Sequence, residues 1–293
     1  MSDMFLRRRS IRRRAFDLLT AGVCRSGFLF SMGLIVFLIA QIIFRGGASI
    51  SLEFLTSPMR DGGLSGGILY QICGTMILIA TAGSVAAPLA LGLALLETEY
   101  VKNMFARRTI QILIHSANAI PSILFGLFGF FALVKMAGLQ KSWLAGGLVL
   151  GMMILPTTAV AVKEAIDAIP SAYREQAIAL GLSKPKEIFA VVLPRSFFGL
   201  ITGLLLGLSR AAGETAPVMF TACVFYGPTL PHGIRDEPIL SLPYHVFNLA
   251  QDSLKPQAMQ NAWGASLVLI MIVSCLSLTA WGLRRHQMTE AWR

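Results

Sequence analysis

Two residues stand where a charge is costly. Residues 196–226 read SFFGLITGLLLGLSRAAGETAPVMFTACVFY, an apolar run of membrane length. Arg210 and Glu214 are the one basic and the one acidic residue deep inside any such run. A charge at the bilayer centre costs at least ~2.5–3.5 kcal/mol, so both side chains have to face protein or water. Their spacing of four puts them on one helical face. A guanidinium is a planar fork of donors that suits an oxyanion such as phosphate. A neighbouring carboxylate would orient that fork and keep the anion from binding too tightly. Two readings fit: a site on a solute pathway, or an internal ion pair that pins helices together. Gly199, Gly203 and Gly207 recur every four residues before the pair, followed by Ala211. That small-residue ridge lets another helix approach closely.

A second stretch carries a different kind of chemistry. Residues 164–194 read EAIDAIPSAYREQAIALGLSKPKEIFAVVLP, the longest charged, amphipathic passage in the chain. Ala165, Ile166, Ile169, Tyr173, Ala177 and Leu180 recur at steps of three and four, which predicts one apolar face on a helix. Glu164, Asp167, Arg174 and Glu175 lie largely off that face. Gly181 suits a helix C-terminus, because it reaches left-handed angles without steric cost. Ser183 is placed to cap a second helix that begins near Pro185. The expectation is a helix–Gly–helix knob at the membrane surface, too polar to span. The plainer alternative is an interfacial hairpin between two spans.

The elements that must position these residues follow from composition. The chain has 293 residues, 55% hydrophobic and 14% charged, with mean hydropathy +0.68. That is a polytopic membrane protein. Six apolar runs, residues 26–44, 68–96, 110–134, 143–162, 196–226 and 262–283, each reach the roughly 20 residues of a helical span. The second and fifth are long, with Pro88 and Pro217 as kink candidates. The first reads as a span and not as the apolar core of a signal peptide.

The net charge of +10 sorts by loop. Eighteen of the 25 lysines and arginines fall in the two tails, residues 97–109 and residues 163–195, and six fall in the alternate loops. Arg210 is the remaining one. The positive-inside bias then makes both termini and the knob cytoplasmic. The six arginines between Arg7 and Arg14 read as a topology anchor against anionic lipid, and nucleic acid is not an expected partner.

Several chemistries are excluded. The four cysteines are isolated, so neither a metal site nor a disulfide framework is indicated. There is no GxxxxGK[ST] loop to hold ATP, no HExxH, and no intramembrane aspartate pair. Gly63–Leu64–Ser65–Gly66 matches an intramembrane serine protease motif but falls outside a span. In the third run Asn118 and Pro121 follow His115. They either line a pathway or satisfy backbone groups that the proline frees. Residues 227–261, with SLPYHVFNLA, suggest a short helix or a docking surface on the outer face.

Two motifs carry a resemblance. Glu175, Ala177, Gly181, Leu193 and Pro194 follow E-x-A-x(3)-G-x(11)-L-P, which resembles the EAA-x(3)-G-x(9)-I-x-LP coupling loop of ABC importer permeases. Gln176 stands for the first Ala and Val191 for the Ile. SRAAGETAP, residues 209–217, resembles the RAxGETAP signature of phosphate-specific ABC permeases. Residues 74–100, GTMILIATAGSVAAPLALGLALLETEY, resemble their GT…PLG…EY passage. Gly66–Gly67–Ile68 and the late SLPYHVFNLA favour the A-type, PstA-like permeases over the C-type. The resemblance covers residues 66–285.

It implies an all-α, six-span type I importer permease (MetI-like) fold in the cell inner membrane. A basic tail (1–25) and a first span with its outer loop (26–67) precede a permease core (68–285) with the coupling loop at 163–195. A tail (286–293) follows. Arg210, Glu214 and Thr215 would lie on the substrate pathway. Glu175, Ala177, Gly181, Leu193 and Pro194 would meet an ATPase. The implied partners are a PstC-like permease, a PstB-like ATPase dimer and an outer phosphate-binding protein. ATP and magnesium would sit on the ATPase, with no cofactor and no catalysis on this chain. A PstC-like partner permease, a permease for molybdate or sulfate, a secondary phosphate transporter and a non-transporting scaffold are the alternatives.

Overall fold

The computed structural model describes residues 2–226, 230–231, 233, 237–252 and 254–290, with side chains at residue 16 and, within those ranges, from 18 to 285. The side chains of the N-terminal arginine run lie outside the described residues, as do residues 227–229, 232 and 234–236 of the outer loop.

Among the described residues the regular structure is helical apart from a ribbon of two two-residue strands and one isolated bridge, Cys223 to Ile239. In order come α1 (Ser2–Gly47), α2 (Leu52–Thr56), β1 (Met59–Arg60), β2 (Ser65–Gly66) and α3 (Leu69–Leu95). Then follow α4 (Met104–Asn118), α5 (Ser122–Gly129), α6 (Trp143–Asp167), α7 (Ser171–Ala179) and α8 (Lys184–Glu187). Last are α9 (Leu193–Ala212), α10 (Ala216–Thr221), α11 (Leu242–Gln251) and α12 (Pro256–Glu290). β1 and β2 pair antiparallel, Met59 opposite Gly66 and Arg60 opposite Ser65. Apolar sequence in lipid becomes helix because a helix satisfies its own backbone hydrogen bonds.

Among the described residues, five helices are long and apolar enough to cross a membrane. A sixth path consists of Met104–Asn118 and Ser122–Met136, bent by 93°. The third apolar run is therefore not one straight span. Its break falls at Ala119–Pro121, where proline cannot continue the hydrogen-bond ladder. Asn118 serves the packing there: its Oδ1 accepts a hydrogen bond from Thr157 Oγ1 of α6 at 2.9 Å.

The fifth run is also corrected. Its helix starts earlier, as one 29-residue path Lys184–Ala212. The break expected at Pro217 comes sooner, at Gly213–Thr215. Pro217 lies in the first turn of α10, where a missing N–H loses nothing. Pro88, the other kink candidate, lies inside α3, which continues through it.

The centre is α3, α6 and α9. Lipid is as apolar as leucine, so association here depends on close packing and not on the hydrophobic effect. Small residues supply it. Ala82, Ala86, Ala90 and Ala94 of α3 are at most 1% exposed, a four-residue repeat like that of the glycines in α9. Leu150, Met153 and Ile154 of α6 fill the space between, at 0–1% exposure.

α1 stands apart. None of its most apolar window is buried; it meets α12 near Arg45, whose guanidinium lies 5.3 Å from the Trp263 ring centre. The expected short helix in the outer loop is α11. It does not stand free: Leu242, His245 and Leu249 are buried, and Leu242 N–H donates to Thr75 Oγ1 at 2.9 Å. Burial pushes the His245 imidazole down to about 4, so it is neutral at pH 7.

Candidate substrate pathway and coupling surface

The glycine ridge of α9 lies on α6. A side chain at Gly199 would collide with Ala165 Cβ. At Gly203 it would stand 2.5 Å from Ala161 Cβ, and at Gly207 3.1 Å from Thr158 Oγ1. Ala211 continues the ridge at 2% exposure. Gly203→Val should therefore cost ~1–3 kcal/mol, the usual range for overpacking. Thermal unfolding of the purified protein measures it; an unchanged midpoint would deny the close approach.

With the ridge fixed against α6, the charged pair sits at the far end of α9. Arg210 occupies the last helical turn, where a cation faces the negative end of the helix dipole. Gly213 then ends the helix, its N–H donating to Arg210 C=O at 3.1 Å. Glu214 and Thr215 follow in non-helical backbone before α10. The pair is thus not carried on one continuous helical face, yet the break still joins it: Arg210 Nε lies 3.5 Å from Glu214 Oε1. Thr215 C=O accepts from Met219 N–H at 3.0 Å.

The two ends of the pair differ in surroundings. Glu214 is 19% exposed, while Arg210 is 41% exposed on this chain. Glu214 lines a small cavity with Thr75, Leu78, Ile79, Leu150 and Val218. Non-helical backbone at membrane depth persists only where it is buried in protein or lines a watery space. The other broken segment lies against this one: Gly126 of α5 brings its backbone so close to α10 that a Cβ would stand 2.8 Å from Pro217 Cα.

The coupling stretch differs in detail from one amphipathic helix. α6 ends at Asp167, and Pro170 precedes a separate α7. Ile166, Ile169 and Ala177 are buried, but Leu180 is 79% exposed. α7 closes at Gly181 with φ of +70°. Leu182 N–H reaches Ala177 C=O at 3.1 Å and Gly181 N–H reaches Ile178 C=O at 2.9 Å, the Schellman pair of bonds. The motif's Ala and Gly are the two ends of this turn. Glu175 is exposed on α7.

Ser183 sits at the start of α8 without donating or accepting a side-chain cap. α8 is one turn long and leads through a π-helical turn, Ile188–Val192, into α9. Leu193 and Pro194 open α9. A wide turn there fits a proline, whose ring would otherwise strike the carbonyl four residues back. Arg195 stacks 3.3 Å from the centre of the Tyr173 ring, tying α7 to α9. Ile178, Leu180 and Phe189 are open to the outside at 67–79% exposure, an exposed apolar surface.

Sequence reading assigned no role to the groups that hold this stretch, although Glu99 falls in the EY that closes the 74–100 passage. Glu97 and Glu99 lie in a π-helical turn, Leu96–Tyr100, at the end of α3. Both side chains are 1% exposed. Glu99 accepts from Arg174 Nη1 and Lys184 Nζ, and Glu97 from Gln111 Nε2. The signal was two glutamates ending an apolar run, beside a stretch rich in cations. His115 and Glu97 line a cavity of about 220 Å³ with Gln111, Lys163 and Glu164.

Packed helices of membrane length, a broken span bearing a charged pair and a helix–Gly–helix knob define a multi-pass helical membrane protein. The family model for the binding-protein-dependent transport system inner membrane component matches residues 86–287. A probable phosphate transport system permease protein PstA of Methanocaldococcus jannaschii is 35% identical over 223 residues, 75% of each chain. The PstA of Mycobacterium leprae is 29% identical over 279 residues, 93% of this chain and 90% of its own. Among solved structures, the inward-facing MetNI methionine ABC transporter superposes with a TM-score of 0.57 at 16% identity, covering 75% of this chain and 97% of that one. A bacterial ABC transporter involved in alginate import gives 0.57 at 17% identity, covering 92% and 98%. The chain belongs to the binding-protein-dependent inner-membrane permeases of ABC transporters, in their PstA-like branch. It is a multi-pass inner-membrane protein with the type I importer permease fold.

Proposed function

We propose that this chain is a transmembrane subunit of an ATP-driven phosphate importer. The observation that carries the reading is the break after α9, which sets Arg210 3.5 Å from Glu214 and leaves the guanidinium open on the surface of the single subunit. A cation at membrane depth needs protein or water beside it. A second, PstC-like permease facing this surface supplies both, and the phosphate pathway runs between the two chains. Arg210 takes the anion, Glu214 orients the guanidinium, and Thr215 lies in the unwound backbone beside them.

Both termini and the coupling stretch face the cytoplasm. There the exposed Glu175, the Ala177–Gly181 turn and the Leu193–Pro194 segment dock on a PstB-like ATPase dimer, which holds ATP and magnesium. A phosphate-binding protein delivers substrate to the opposite face. The chain itself forms and breaks no covalent bond. It converts closure of the ATPase into alternate opening of the pathway.

Reconstitution tests this. The chain, a partner permease, the ATPase and the binding protein in proteoliposomes should accumulate labelled phosphate only with internal ATP. Excess sulfate or molybdate should compete poorly. Uptake of either in preference to phosphate would reassign the substrate. Uptake without ATP would make the chain a secondary transporter.

A further inference from the structure

We propose that Glu99 is a positioning residue that carries the motion of the coupling stretch into α3, and through α3 to the wall around Glu214. This rests on the importer reading above and adds a route to it. The chain already joins the coupling stretch to α6 and to α9. Glu99 attaches it to a third helix.

The attachment is specific. Arg174 Nη1 of α7 donates to both Glu99 oxygens, at 2.7 and 2.8 Å. Lys184 Nζ of α8 donates to Oε2 at 2.6 Å. Glu187 closes the cluster, 3.7 Å from Arg174 and 3.3 Å from Lys184. Two carboxylates thus balance two cations. The Glu99 side chain is 1% exposed while Arg174 and Lys184 are 25% and 41% exposed, so water screens the contacts from the cation side only. Letting go of either partner would strand a buried charge.

The same turn is fixed on a second side. Glu97 accepts from Gln111 Nε2 of α4 at 2.8 Å. It lies 3.8 Å from Lys163 of α6 and 3.9 Å from Arg107 of α4. From this turn α3 runs back through 27 residues, roughly 40 Å of helix. Toward its other end Thr75, Leu78 and Ile79 share the small cavity with Glu214. A push on α7 and α8 therefore bears on one continuous helix whose far half lines the cavity beside Glu214.

The test uses the complete reconstituted complex and reads phosphate moved per ATP hydrolysed. Glu99→Gln should assemble, continue to hydrolyse ATP, and lose at least tenfold in that ratio. Glu99→Asp, which keeps the carboxylate, should recover most of it. Lys184→Gln, at a side chain 41% exposed, should lower the ratio severalfold. An unchanged ratio in Glu99→Gln, even with reduced yield of complex, would overturn the proposal. If that variant fails to assemble, an unchanged ratio in Lys184→Gln overturns it equally. A wild-type complex that hydrolyses ATP but moves no phosphate overturns the importer reading instead, before any variant is compared.

Discussion

Arg210→Ala should reduce ATP-dependent phosphate uptake at least about 100-fold while the complex still assembles. The reduction follows from the chemistry of the site. A hydrogen bond to a charged group is worth ~1.5–3 kcal/mol, and a guanidinium offers a dianion two at once. Each ~1.4 kcal/mol is tenfold in affinity. The fold of the subunit should survive because Arg210 takes no part in the close packing of α9 on α6, and the complex has the rest of its interface to hold it together. The contacts with α6 come from Gly199, Gly203 and Gly207, and Arg210 itself is 41% exposed. Arg210→Lys keeps the charge but loses the fork, and should retain a small fraction of uptake. Size-exclusion profiles and labelled-phosphate uptake by the same preparations decide the matter. Full uptake by Arg210→Ala would remove this residue from the pathway and leave it the role of an ion pair.

Gly181→Pro should separate ATP hydrolysis from transport. The backbone at Gly181 has φ of +70°, and proline is confined near −65°. The substitution also deletes the N–H that donates to Ile178 C=O. Together these cost ~3 kcal/mol or more at a turn that sets the angle between α7 and α8. The ATPase would then push on a misshapen knob. Gly181→Ala is the sharper control. No atom lies within 4 Å of a Cβ built there, so alanine pays only the left-handed strain of ~1–2 kcal/mol. It should lower transport modestly with hydrolysis and flux still linked. Wild-type phosphate flux per ATP in Gly181→Pro would contradict the role given to this turn.

The sequence by itself determined everything that depends on local composition or short spacing. Apolar runs of span length have one backbone solution in lipid, so helices at residues 68–96, 143–162 and 262–283 were legible from hydropathy. The glycine ridge was legible because a four-residue repeat of residues without side chains has few other uses in a membrane. The Ala177–Gly181 turn was legible because its hydrogen bonds close within six residues. The isolation of Arg210 and Glu214 among apolar neighbours marked them without any neighbour in space.

Tertiary structure decided what depends on contacts between distant segments. An apolar run does not reveal where its helix stops. The third run bends by 93° at Ala119–Pro121 and the fifth breaks after Ala212, and the two broken segments meet where Gly126 lies against Pro217, a contact hydropathy cannot register. Glu99 ends an apolar run with no partner nearby in sequence until Arg174 and Lys184, 75 and 85 residues away, come within hydrogen-bond reach. A salt bridge has no sequence period, so its partners become visible only once the helices carrying them are brought together.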